Sequence, residues 1–153
     1  MAVTLGAIEP ELRALGVRYA CGVDRRDPDM YAGAFLDDGL LVVHRAGEAP
    51  EAGARRQGAA ELRPVTESIK QYYKTMHFIG QSLYEMDGDV PTGEVYCIAH
   101  HIHQPHGDEW VDRIMYIRYR DRYAQRPDGS WGIAERHLWN DWVAYRPIPS
   151  PMG

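Results

Sequence analysis

The sequence predicts a single α+β domain in which three N-terminal helices pack against one face of a strongly bent, mostly antiparallel sheet. Two patterns and one length lead there. Apolar residues in the first half recur at helical spacing, while the second half alternates at strand spacing between turn signals. Helices first and strands after them, with no internal repeat or linker, argue for a segregated α+β unit. The length of 153 residues suits one core, since a chain of about 150 residues buries roughly 70% of its unfolded surface.

In chain order, Ile8, Leu12, Leu15, Tyr19 and Val23 fall on one face of a helix over roughly residues 7–24. Asp27-Pro28 reads as an N-cap followed by proline at the first helical position. A short second helix carries Met30, Tyr31, Ala34 and Phe35 and stops at Gly39. Leu40-Leu41-Val42-Val43-His44 is a short strand. Residues 46–60, rich in Gly, Ala and charge and without periodicity, read as a mobile loop. Leu62, Val65, Ile69, Tyr72/Tyr73 and Met76 mark a third helix. From His77 onward four long strands follow: HFIGQSLYEM, TGEVYCIAHHIH, EWVDRIMYIRYRDRY and SWGIAERHLWNDWVAY. They are joined at Asp87-Gly88-Asp89, at Gly107-Asp108 and at Pro127-Asp128-Gly129. The Pro-rich tail from Arg146 reads as a loose terminus. One domain then covers residues 1–153, with an ordered core of about 7–146.

Composition narrows the function classes. A net charge of −5 leaves no basic footprint for phosphate backbones, so no nucleic-acid partner is expected. No apolar run approaches the ~20 residues of a membrane span, so no membrane partner is expected either. The N-terminus lacks a basic region followed by an apolar stretch, which predicts no signal peptide. Cys21 and Cys97 then read as two buried, reduced thiols of a cytoplasmic protein. Against only 2 Phe stand 10 Tyr, 7 His and 4 Trp, a mixture that suits a cavity both apolar and hydrogen-bonding.

Four groups of residues carry chemistry. Tyr19 and Asp24 lie at the end of the first helix, where the Asp-Arg-Arg-Asp run of residues 24–27 also fits a solvated helix terminus. His77 sits where the third helix gives way to a strand, and suits either a hydrogen-bonded core position or proton transfer near neutral pH. In His100-His101-Ile102-His103 a strand places His101 and His103 on one face and His100 on the other. No HExxH, CxxC pair or Asp-rich loop completes a metal site around them, and no metal is expected. Arg118, Arg120 and Arg122 alternate with Tyr119, Asp121 and Tyr123, giving one basic, outward or inter-subunit face. Gly-rich phosphate loops and nucleophile motifs are absent from the sequence, which argues against nucleotide chemistry and covalent acyl transfer.

Taken together, Tyr19-x4-Asp24, TMHFIG at 75–80, EVYCIAHH at 94–101 and RYRDRYAQRPDGSWGIAERHLWNDW near the end resemble the SnoaL-like branch of the nuclear transport factor 2-like superfamily. Within it the chain is most similar to the scytalone dehydratase and bile-acid 7α-dehydratase group, over roughly residues 8–143. The resemblance implies a cone-shaped α+β barrel with acid–base residues inside. It implies catalytic roles for Asp24, His77, Tyr19 and His101. His100 is a substrate-binding candidate and the fallback for His101 if the strand register slips by one, and Tyr119 and Asn140 are further substrate-binding candidates. One departure is Val23, where scytalone dehydratase has a tyrosine directly before its aspartate.

The implied activity is that of a cofactor-independent lyase, a dehydratase acting on a small hydrophobic cyclic or polycyclic carbonyl compound. A carboxylate on one imidazole nitrogen fixes the tautomer, and the other nitrogen takes a proton next to the carbonyl. No metal or organic cofactor is needed. An isomerase or polyketide cyclase would use the same base, a dehydrochlorinase would expel chloride, and a non-catalytic module would merely hold an apolar ligand on the same fold. The resemblance also implies a homo-oligomer, with a trimer favoured.

Overall fold

The computed structural model describes residues 4–152. Helix α1 (Leu5–Arg25) buries Ile8, Leu12, Leu15, Tyr19 and Val23, the stripe its periodicity predicts. It ends where Arg26 turns into the left-handed region (φ 55°). The Arg26 guanidinium donates to the Tyr72 carbonyl at 2.7 Å, tying the helix end to the segment ahead of the sheet. Asp27 caps α2 (Pro28–Ala32) by accepting from the backbone N–H groups of Asp29 and Met30. The two helices pack so closely that a Cβ at Gly22 would lie 2.6 Å from the backbone nitrogen of Tyr31, a spacing only glycine accommodates.

The second helix does not run to Gly39. It ends at Ala32, and β1 (Phe35–His44) begins two residues after Gly33. Distant groups capture the carbonyls that a longer helix would use. Ile133 N–H donates to the Ala34 carbonyl at 3.0 Å, and Arg126 donates to the carbonyls of Gly33 and Phe35 at 3.0 and 2.9 Å. Residues 46–60 are likewise not a featureless loop. They hold a 3₁₀ turn (Pro50–Ala52), strand β2 (Ala54–Gln57) antiparallel to β1, and most of α3 (Gly58–Leu62). All four β2 residues are exposed, so no alternation marks the strand. The third helix is also broken. Pro64, which lacks an N–H, separates α3 from α4 (Val65–Ser68), and a 3₁₀ turn (Ile69–Gln71) ends it. Met76 and His77 therefore belong to a strand.

The four long strands are β3 (Lys74–Asp87), β4 (Val90–His106), β5 (Glu109–Gln125) and β6 (Trp131–Ile148). They form the predicted meander. The sheet order is β2-β1-β6-β5-β4-β3, antiparallel throughout except for the β1–β6 pair. The tail is less loose than its prolines suggest, because Pro147 and Ile148 still pair with Val111 and Trp110. β1 ends opposite Trp139, so beyond that point β6 has a free edge, where proline is tolerated. Register shifts at Ile79/Ser82, Tyr116/Ile117 and Arg122/Tyr123 bend the sheet into an open cone. The helices cover its inner face. Cys97, Ala99 and His101 of β4 and Ile117, Tyr119, Asp121 and Tyr123 of β5 point into this buried space. Cys97 is buried and free, while Cys21 on α1 is only partly buried, less than the sequence suggested. Among the described residues no helix is long and apolar enough to cross a membrane.

Candidate active site

The last turn of α1 brings Asp24 against the start of β3. Its Oδ1 accepts from Thr75 Oγ1 and stands 2.8 Å from His77 Nδ1; its Oδ2 accepts from the His77 backbone N–H at 2.8 Å. Burial by itself would raise the Asp24 pKa, but the hydrogen bonds from His77, the His77 charge and Thr75 outweigh it and hold the carboxyl below its ordinary value. A carboxylate that accepts from three sides assigns the Nδ1–H tautomer to His77. Nε2 is then left with a free lone pair. Strand alternation turns Met76 and Phe78 outward and His77 inward, where only 7% of its side chain is exposed.

His77 lines a cavity of about 220 Å³. Leu41, Val43, Val65, Ile69 and Leu138 supply apolar walls, and Tyr19 and Tyr31 place phenol groups in them. The charged lining residues are Arg45 and Arg56, on the hairpin of β1 and β2. Burial lifts the Tyr19 pKa, so its hydroxyl stays a neutral hydrogen-bond donor.

His101 lies beside this pair, its ring 5.4 Å from that of His77 and 4.8 Å from Tyr72. It is 4% exposed. Burial, and then the charges of His77 and Arg113, lower its imidazole from 6.5 to about 4. The unfolded chain thus takes up a proton near pH 6.5 that the folded one refuses until about pH 4. Stability from this group is complete above pH 6.5 and falls as acid is added, by about 3 kcal/mol in all by pH 4. Urea unfolding of wild type and His101→Gln at pH 7, 5.5 and 4.5 checks this. The wild type is expected to lose stability more steeply; parallel losses would reject the assignment.

Beneath Tyr19 lies a buried ion pair. Arg136 Nε and Nη2 donate to the two oxygens of Asp121 at 2.8 and 2.6 Å, and Tyr123 donates its hydroxyl to Asp121 Oδ2 at 2.8 Å. The guanidinium is sandwiched between Tyr19 and Tyr119, 4.3 and 4.2 Å from their ring centroids. Burial opposes its charge, but Asp121 outweighs that and raises the Arg136 pKa. Among the described residues the hydroxyls of Tyr31 and Tyr119, Arg136 Nη1, His101 Nδ1 and Asn140 Oδ1 are buried without a hydrogen-bond partner. Such groups are uncommon, and three of them sit on residues packed directly against Tyr19.

The sequence pattern of the family described as "SnoaL-like domain" matches residues 7–137. The chain belongs to that family. Among curated proteins nothing matches. Solved structures share the fold. A protein of unknown function from Mycobacterium tuberculosis is 28% identical, with 87% of this chain and 71% of that one covered at a TM-score of 0.69. A scytalone dehydratase-like protein from Novosphingobium aromaticivorans is 19% identical, covering 94% and 90% at 0.71. The hexachlorocyclohexane dehydrochlorinase LinA-type3 from Novosphingobium barchaimii is 16% identical, covering 94% and 92% at 0.73.

In this SnoaL-like domain the expected residues divide. Asp24 and His77 are bonded to each other, Tyr19 shares their cavity, and His101 flanks His77. Tyr119 and Asn140 face inward but are packed in the core. Tyr119 lies against Tyr19 at 5.3 Å between ring centroids. His100 does not face the cone. Alternation along β4 puts it on the opposite face from His101, with Nδ1 2.8 Å from Asp112 Oδ2. Among the described residues no set of three or more His, Cys, Asp or Glu gathers as a metal would require. The Arg136–Asp121 pair went unread in the sequence. Its signal was present: Tyr119, Asp121 and Tyr123 alternate with arginines, and an inward-facing acid demands a buried cation.

Proposed function

We propose that this protein is a cofactor-independent lyase that removes water from a hydrophobic cyclic or polycyclic carbonyl compound. The observation that carries the proposal is the Asp24–His77 pair, with Nε2 free at the wall of an apolar cavity. Nε2 takes the proton from the carbon next to the carbonyl, and the electron pair moves toward the carbonyl oxygen to give an enolate. Ionised Asp24 stabilises the imidazolium. The enolate collapses to a C=C bond, the C–O bond to the β-hydroxyl breaks, and the imidazolium returns its proton to form water. Tyr19, with His101 beside the base, hydrogen-bonds the enolate oxygen. Tyr119 and Asn140 support the site from the core, and Arg136 holds the Tyr19 ring from behind. No step uses a metal or organic cofactor. The test is a panel of cyclic β-hydroxy ketones offered to wild type, His77→Ala and Asp24→Asn, with products weighed by mass spectrometry. Loss of 18 Da marks dehydration, by simple stoichiometry. An isomeric product of unchanged mass assigns the same base to isomerisation or cyclisation instead.

The outer sheet face supports self-association. Phe78 is 66% and Trp142 55% exposed, beside Ile98. Tyr116 stacks on Trp142 at 4.3 Å between rings. Among the described residues no helix covers this apolar strip, which borders the outward Arg118. We propose a homo-oligomer, with a trimer favoured, built on this face. Light scattering is expected to give a multiple of 17.4 kDa; a monomer would reject it.

A further inference from the structure

The charge at the mouth of the cavity points to a feature of the ligand. The protein carries a net charge of −5. Among the described residues no carboxylate nevertheless lines the cavity, and Asp24 bonds His77 without joining that lining. Its charged lining residues are both arginines. Leu41 pairs with Arg56 and Val43 with Ala54, so the β1–β2 hairpin presents Leu41, Val43, Ala54 and Arg56 as a continuous inner surface with Arg45 at its end. Arg45 is 72% exposed and already meets Glu48 at 3.2 Å. Arg56 is exposed and donates only to the neighbouring Arg55 carbonyl, at 3.3 Å. It bonds no carboxylate among the described residues. Arg56 lines the cavity together with Tyr31 while its strand is exposed, so its guanidinium stands at the cavity edge, open to solvent.

We propose that Arg56, assisted by Arg45, selects ligands that carry a carboxylate on the end of the ring system remote from His77. A planar guanidinium fork matches a carboxylate in two parallel hydrogen bonds, whereas a neutral polar group engages it more weakly. The apolar walls bury the rings, Nε2 of His77 meets the reacting carbon, and the acid group emerges at the hairpin. The inference rests on the lyase reading only for which end of the ligand reacts. Its test is a binding measurement that needs no turnover.

The probes are 2-naphthoate and 2-naphthamide, equal in shape and different in charge, titrated by calorimetry at low salt. The wild type is expected to bind naphthoate at least about 10-fold more tightly, the range of a charge-assisted hydrogen bond. Arg56→Gln is expected to remove most of that preference, weakening naphthoate far more than naphthamide. Arg45→Gln is expected to act in the same direction but less. Naphthoate should also shift the His77 ring resonances in the NMR spectrum. Equal affinity of the wild type for both probes would overturn the proposal. So would a preference that survives both substitutions, or naphthoate binding that leaves His77 undisturbed, since the outward Arg118, Arg120 and Arg122 would then hold the anion. Retained naphthoate preference in a protein that dehydrates nothing would overturn the lyase reading alone.

Discussion

His77→Ala is expected to slow dehydration of a cyclic β-hydroxy ketone by roughly 10²–10⁴-fold, the usual contribution of one positioned proton transfer. The loss should fall on kcat, with KM little changed, because the imidazole acts on the reacting carbon and the cavity walls hold the rings. Asp24→Asn should approach the same loss by another route. An amide of similar size offers an N–H where His77 Nδ1–H now finds a carboxylate oxygen at 2.8 Å. The ring is then driven toward the tautomer with its proton on Nε2, and the imidazolium loses its counter-charge. Thr75 and the His77 backbone also lose an ionised acceptor. Steady-state kinetics of the two single variants and the double variant check this. A double variant no slower than either single one is expected, since the pair acts as one unit. Turnover unaffected in all three would sink the assignment of roles.

Asp121→Ala is expected to destabilise the fold by about 3–5 kcal/mol, because it leaves the Arg136 guanidinium charged and uncompensated in the core. Both side chains of the pair are 0% exposed. For a domain of this size that corresponds to a fall in Tm of roughly 10–20 °C. Replacing both partners, as Asp121→Leu with Arg136→Met, is expected to recover much of the loss, since a buried ion pair and a packed apolar pair often differ little in net stability. Calorimetry of the three proteins decides it. A single variant as stable as wild type would mean that Arg136 reaches water. The same substitution should also lower activity, because Arg136 holds the Tyr19 ring from behind. Stability and the position of a cavity residue are therefore coupled through one guanidinium.

What was legible in the sequence was whatever a local period can encode. The stripe of α1 and the four long strands follow from residues two, three or four apart. Turn glycines such as Gly88, Gly107 and Gly129, all at positive φ, marked the hairpins. The charge and the absence of a phosphate loop were equally open to inspection, and the family resemblance pointed to Tyr19, Asp24, His77 and His101. Tertiary structure decided the rest, wherever a distant segment completes a bond. β1 starts at Phe35 because Ile133 claims the carbonyl of Ala34 and Arg126 those of Gly33 and Phe35, from positions far along the sequence. β2 exists because β1 has an edge to fill. His77 is a strand residue because Pro64 breaks the helix and β4 accepts the chain. His101 rather than His100 faces the cone because bulges and pairing fix the register of β4. Asp24 meets His77 across 53 positions of sequence. Period is a property of neighbours, whereas register, edges and cross-chain hydrogen bonds are settled only when remote backbone groups compete for the same donors and acceptors.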